Sequence, residues 1–201
     1  MTICEPVADF SHLFSYIRPP RMEMETVILH GKKFRKFISS EKIQERISFL
    51  AEKIKSEMNG SEPVFVPVLN GAFFFASDLI RMAGINCEIS FVRISSYAGT
   101  QSTGTIKNIM GVSPEIGGKK IILVEDIVDT GETLVYLLNE FSKHNPSEIK
   151  VASLLLKPTA LKHDVTIDYL GFEVPNDFVI GYGLDYDGLG RNLNDIYKLD
   201  N

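Results

Sequence analysis

The stretch Ile121–Leu134 reads IILVEDIVDTGETL, and its two halves call for different structures. Ile121 to Val124 are apolar and largely β-branched with no polar alternation, as expected for a strand buried on both faces. Two acids follow, Glu125 and Asp126, then Ile127-Val128, then Asp129-Thr130-Gly131-Glu132-Thr133 at the mouth of a predicted helix. A helix N-terminus exposes unsatisfied N–H groups and a partial positive charge, so it can hold a phosphate. Gly131 allows close backbone approach, and Thr130 and Thr133 supply hydroxyls. Neighbouring carboxylates can accept from a ribose diol and stabilise positive charge growing on a sugar. Asp129 stands where it can relay a proton. Taken alone, D-T-G-x-T also reads as an ordinary helix cap. The turn lacks G-x-x-x-x-G-K-[ST] and contains no lysine, so it is not a nucleoside-triphosphate loop.

Outward from this segment the pattern is strand, turn, helix, repeated. Pro63–Leu69 is apolar, and Gly71 opens a predicted helix through about Met82. Glu88–Ser96 reads as one strand, Thr130–Ser142 as a helix and Ile149–Leu156 as a strand. Upstream, Ile43, Ile47, Leu50, Ala51, Ile54 and Met58 share one face of a helix over Glu41–Met58, with Ser39 or Ser40 as its N-cap. Before that, Thr26–His30 and Lys33–Ile38 form a hairpin about Gly31-Lys32. Apolar runs alternating with helices predict an α/β fold, a parallel sheet flanked by helices. In such sheets ligands lie at the carboxyl ends of the strands.

The bulk numbers agree with this frame. The 201 residues suit a single domain, and 44% hydrophobic content is enough for a real core. A formal charge of −5 gives no general attraction to nucleic acid or anionic membrane. Cys4 and Cys87 form no C-x-x-C pair and read as incidental thiols. His12, His30, His144 and His163 fall in no metal or triad spacing. MTICEPVADF lacks a basic segment followed by an apolar one, so the expected location is cytoplasmic.

The run VEDIVDTGETL resembles the phosphoribosyl pyrophosphate (PRPP) motif of type I phosphoribosyltransferases, and neighbouring segments resemble the hypoxanthine-guanine phosphoribosyltransferase family. The resemblance extends from about Pro67 to Arg191. It implies one domain over residues 1–201, with a core at about 39–175 and a small hood from about 1–38 and 176–201. Leu69-Asn70-Gly71, alone a turn leading into a helix, resembles the family's pyrophosphate loop, whose non-proline cis peptide would lie at Leu69-Asn70. The family commonly has lysine where this chain has Asn70. Ser96-Tyr97 opens S-Y-x-x-x-Q-S-T-G, which resembles a flexible lid that excludes water.

Further roles follow from the same resemblance. Lys157, at the end of VASLLLK, would donate to the exocyclic oxygen of a 6-oxopurine. In FVIGYGLDY, Phe178 would stack on the base and backbone at Val179 would read its edge, with Asp185 beside the base. Asp185, with Glu125 and Asp126, would hold Mg2+. Arg191 would contact pyrophosphate, Glu125 and Asp126 the ribose, and Asp129 to Thr133 the 5-phosphate. Asp129 would also accept the purine proton. The expected reaction joins hypoxanthine and/or guanine to the ribose 5-phosphate of PRPP, giving IMP or GMP and pyrophosphate, in a homodimer or homotetramer. An RNA-binding regulator on the same fold is disfavoured by the acidic balance and the lack of a basic stripe. Transfer to xanthine, orotate or uracil is a further alternative.

Overall fold

The computed structural model describes residues 25–58, 60–96, 106–110 and 116–200. The chain begins with a hairpin of β1 (Thr26–Leu29) and β2 (Lys32–Ile38), turning at His30-Gly31, so Lys32 belongs to the second strand. Helix α1 (Ser40–Glu57) follows, with the Ser39 hydroxyl accepting from the Lys42 N–H. The predicted apolar stripe is its buried face. Next come β3 (Val64–Leu69), α2 (Phe73–Ala83), β4 (Glu88–Ile89), β5 (Val92–Ser96), β6 (Ile106–Met110) and β7 (Lys120–Val128). The chain closes with α3 (Glu132–Ser142), β8 (Glu148–Leu156), β9 (Tyr169–Glu173), β10 (Val179–Ile180) and β11 (Ile196–Leu199).

The main sheet runs β6-β5-β3-β7-β8-β9, with β4 also on β3; every pairing is parallel except β5 with β6. Helices α1 and α2 cover one face, where Ile47, Leu50, Phe75 and Leu79 meet Phe65, Ile122 and Val124. Helix α3 covers the other, with Leu134, Leu137 and Phe141 on Val64, Val66, Ile121 and Leu123. This is the parallel, helix-flanked sheet expected from the sequence. The second sheet, β1-β2-β11-β10, is antiparallel and joins the β1–β2 hairpin to the strands near the C-terminus as the hood. Phe34, Ile180 and Tyr197 form its small core. Among the described residues no helix is long and apolar enough to cross a membrane.

Further boundaries differ from expectation. Glu88–Ser96 is two short strands, because Pro67 in the middle of β3 has no N–H to continue the ladder. Phe65 still accepts from the Ser90 N–H, and parallel pairing resumes only at Val68. Both site-facing helices begin later than predicted, α2 at Phe73 and α3 at Glu132, leaving longer turns at the sheet edge. Finally, β7 does not stop at Val124 but carries Glu125 and Asp126 within it.

The hood docks on the core through backbone. Gly181, Tyr182 and Gly183 all have positive φ, and a Cβ on Gly183 would lie 2.0 Å from the Gly71 carbonyl oxygen. Gly183→Ala is therefore expected to lose about 3 kcal/mol of stability through clash and left-handed strain, read as a lower urea midpoint at unchanged slope.

Candidate active site

The carboxyl edge of the main sheet collects the segments singled out in the sequence. Pro67 pairs with Val124, so the turn after β3 lies beside the acids of β7. There Asp126 is pressed against the turn: a Cβ on Gly71 would sit 1.7 Å from its Oδ2. The Leu69–Asn70 peptide is cis. The alternation of β7 slips at these acids. Ile122 and Val124 belong to the α1–α2 layer, whereas Val128, four residues further on, belongs to the α3 layer.

Glu125 is 5% exposed, and burial, then the neighbouring Asp126 charge, pushes its carboxyl well above the usual range. Asp126 is raised to about 6, chiefly by burial, with the Asp185 charge adding to the rise. The Ile127 N–H and the charge of Arg191 act against that rise. Two oxygen-only acids at a crowded strand end suit a hard divalent cation, which takes few carboxylates plus phosphate and water oxygens. Among the described residues no three acids, histidines or cysteines already converge as a cage.

Beyond β7 the chain forms a cleft of about 210 Å³ lined by Glu125 to Gly131, Thr133 and Leu134. Gly131, at φ +82, is the N-cap of α3 and supplies no side chain to satisfy the helix amides. The Thr130 hydroxyl accepts from the Glu132 N–H at 3.3 Å, and the Thr130 carbonyl accepts from Lys162 N–H at 3.0 Å. Glu132 points outward to Lys162 Nζ at 3.1 Å. Leu161, His163 and Val165 pack next to Gly131.

On the neighbouring strand, the Lys157 N–H bonds the Val128 carbonyl, which sets the side chain beside Asp129. Lys157, 8% exposed, reaches Asp129 Oδ2 at 3.1 Å. The sequence marked both residues separately; the structure makes them a pair.

From the hood, Phe178 presents a ring 47% exposed, edge-on to Tyr186 at 5.6 Å and tilted against Phe34 at 6.3 Å. Val179 is buried in β10. His30, given no role from the sequence, stands edge-on to Tyr186 at 5.4 Å, and Lys32 Nζ lies over the same ring. Asp185 Oδ1 pairs with Arg191 Nη2 at 2.6 Å, and its Oδ2 accepts from Gly188 N–H. Arg191 Nη1 also donates to the Gly183 carbonyl at 2.6 Å. Ser96 ends β5, but Tyr97 and the rest of the expected lid lie outside the described residues. The sequence reading missed Gln44 and Asp78, which hold Tyr182; neither lies in a motif, and no local signal marks them.

Comparison with known proteins points the same way. Residues 39–187 match the family model described as a phosphoribosyl transferase domain. The hypoxanthine-guanine phosphoribosyltransferase of Bacillus subtilis is 41% identical over 157 residues, 78% of this chain and 87% of that protein. The one from Mycobacterium tuberculosis is 38% identical over 170 residues, covering 81% and 84%. A crystal structure of a hypoxanthine-guanine phosphoribosyltransferase from Bacillus anthracis superposes with a TM-score of 0.76 at 39% identity, covering 83% of this chain and 96% of that one. With a parallel sheet, a two-ended hood and an acidic strand end meeting a glycine turn, this chain belongs to the hypoxanthine-guanine phosphoribosyltransferase family of type I phosphoribosyltransferases.

Proposed function

We propose that the protein transfers the 5-phosphoribosyl group of PRPP to hypoxanthine and/or guanine, giving IMP or GMP and pyrophosphate, with Mg2+. The observation that carries the reading is the 3.1 Å pair between Lys157 Nζ and Asp129 Oδ2 beside the Thr130–Thr133 turn. It sets a donor suited to an exocyclic oxygen and an acceptor suited to a purine proton next to a phosphate cradle. The half-exposed ring of Phe178 supplies a flat apolar surface for the base.

In the proposed reaction the bond from the anomeric carbon to pyrophosphate breaks as a purine ring nitrogen bonds to that carbon. The nitrogen's proton passes to Asp129. The amides and hydroxyls of Thr130, Gly131, Glu132 and Thr133 hold the 5-phosphate. The turn Leu69-Asn70-Gly71 and Arg191 hold the leaving pyrophosphate. Glu125 and Asp126 accept from the ribose diol, and their buried charge is offset as positive charge grows on the sugar ring. Asp185 with Glu125 and Asp126 would hold Mg2+, which would supply positive charge to offset the leaving pyrophosphate. With Asn70 the turn carries no cation of its own, so Arg191 is the side-chain cation assigned to pyrophosphate. The test is direct competition among hypoxanthine, guanine, xanthine, orotate and uracil with PRPP and Mg2+. Preferential formation of IMP or GMP supports the reading, and preference for orotate or uracil removes it.

Two variants probe the assigned roles. Asp129→Asn is expected to lose about 10²–10⁴-fold in kcat with PRPP affinity nearly kept, measured by steady-state kinetics and PRPP titration. Near-normal kcat would show that Asp129 is not the base. Asp126→Asn tests the buried acids by pH. The folded value near 6 lies above the ordinary 3.8, so folding favours the protonated acid. The penalty therefore grows as pH rises from about 4 to 6 and is complete above that. The ligand-free variant is expected to gain on the order of 2 kcal/mol over wild type at about pH 8, with no gain below about pH 4, while losing PRPP binding. Denaturant melts across pH check it.

A further inference from the structure

Gln44, Asp78 and Tyr182 take no part in the reaction proposed above, yet they bring together α1, α2 and the hood loop. Tyr182 sits at φ +49 between Gly181 and Gly183, both also at positive φ. Its ring is 6% exposed and packs against Phe74 at 6.3 Å. The phenol donates to Asp78 Oδ2, while Gln44 Nε2 donates to the same oxygen at 2.8 Å and to the phenol oxygen at 3.2 Å. Burial first, then the Asp78 hydrogen bond, hold the phenol far above its ordinary range, so it stays a donor.

What this tether reaches is set by backbone. Asp78 lies on α2, the helix that follows Asn70-Gly71. The residue after Tyr182 is Gly183, whose Cα lies over the Gly71 carbonyl. Gly183 N–H donates to the Arg191 carbonyl at 2.9 Å, and its own carbonyl accepts from Arg191 Nη1 at 2.6 Å. Arg191 in turn holds Asp185 at 2.6 Å. A shift of Tyr182 would thus move the Arg191–Asp185 pair relative to the Gly71 turn. The base-facing side of the hood has further contacts of its own, among the Phe34, Phe178 and Tyr186 rings and in the β10–β11 ladder.

We propose that Tyr182 is a positioning residue: its hydroxyl, held by Asp78 and Gln44, sets the spacing between Arg191 and the Gly71 turn, and so governs the grip on pyrophosphate more than that on the base. The proposal rests on the function proposed above. A role confined to packing would lower stability without separating the two substrates.

The test is kinetics of Tyr182→Phe, Asp78→Ala and the double variant, with melting curves for each. The expected result for Tyr182→Phe is a rise of about tenfold in KM for PRPP and in Ki for inorganic pyrophosphate, with kcat and the KM for hypoxanthine within about twofold. Asp78→Ala should move the same constants in the same direction, with the Gln44 contact to the phenol kept, and the double variant should be no worse than the poorer single, because each loses the Tyr182–Asp78 hydrogen bond. Asp78→Asn, which keeps an acceptor oxygen, should stay near wild type even if the alanine variant fails to fold. An unchanged pyrophosphate Ki in Tyr182→Phe, additive losses in the double variant, or a parallel rise in both KM values would each overturn the positioning role. A wild-type protein with no PRPP-dependent turnover would remove the function and the positioning role together, whereas active wild type with an unaltered Tyr182→Phe removes only the latter.

Discussion

At Gly71 the fold has no room for a single carbon atom. Asp126 Oδ2 occupies the space on one side, 1.7 Å from where a Cβ would stand, and the Gly71 carbonyl closes the space beside Gly183 at 2.0 Å. Three segments distant in sequence, the turn after β3, the acidic end of β7 and the hood loop, therefore meet at backbone range. No side chain can serve this purpose, since any Cβ at either glycine would hold the segments apart. The rest of the site is arranged around that contact. Asp126 is pressed onto the turn, Gly183 anchors Arg191, and Arg191 reaches Asp185.

Such close approach has an electrostatic consequence. Glu125 and Asp126 are adjacent acids in a crowded strand end, and both resist ionisation in the free protein. The more exposed acids are handled differently. Asp129 is paired with Lys157, and Asp185 with Arg191, in contacts of 3.1 and 2.6 Å. Each pair keeps a cation and an acid oriented at the edge of the sheet before any ligand arrives. On the proposed function, both pairs exchange partners when substrates bind: Lys157 turns to the base oxygen and Arg191 to pyrophosphate.

Much of the frame was legible in the chain. An apolar run without alternation, as at Ile121 to Val124, forms a strand only where both faces are covered, and that local pattern needs no partner to be read. The stripe from Ile43 to Ile54 and the Ser39 cap act within one helix, so their spacing is enough. The late start of α2 and α3 was not legible, because glycine-containing turns can begin a helix at several neighbouring positions. Nor was the division of Glu88–Ser96. Its cause, the missing N–H of Pro67, acts across the sheet on a different strand.

Composition and order of residues thus settled the elements, the identity of the acids and the glycine turn, and the family to which they belong, because these depend on neighbours along the chain. Tertiary structure alone decided which charges face one another. Lys157 meets Asp129 because parallel strands β7 and β8 run in register, and Tyr182 meets Asp78 because two left-handed glycines fold the hood loop onto α2. Pairings of this kind are set by strand register and by close backbone contact, and neither is written in any short stretch of sequence.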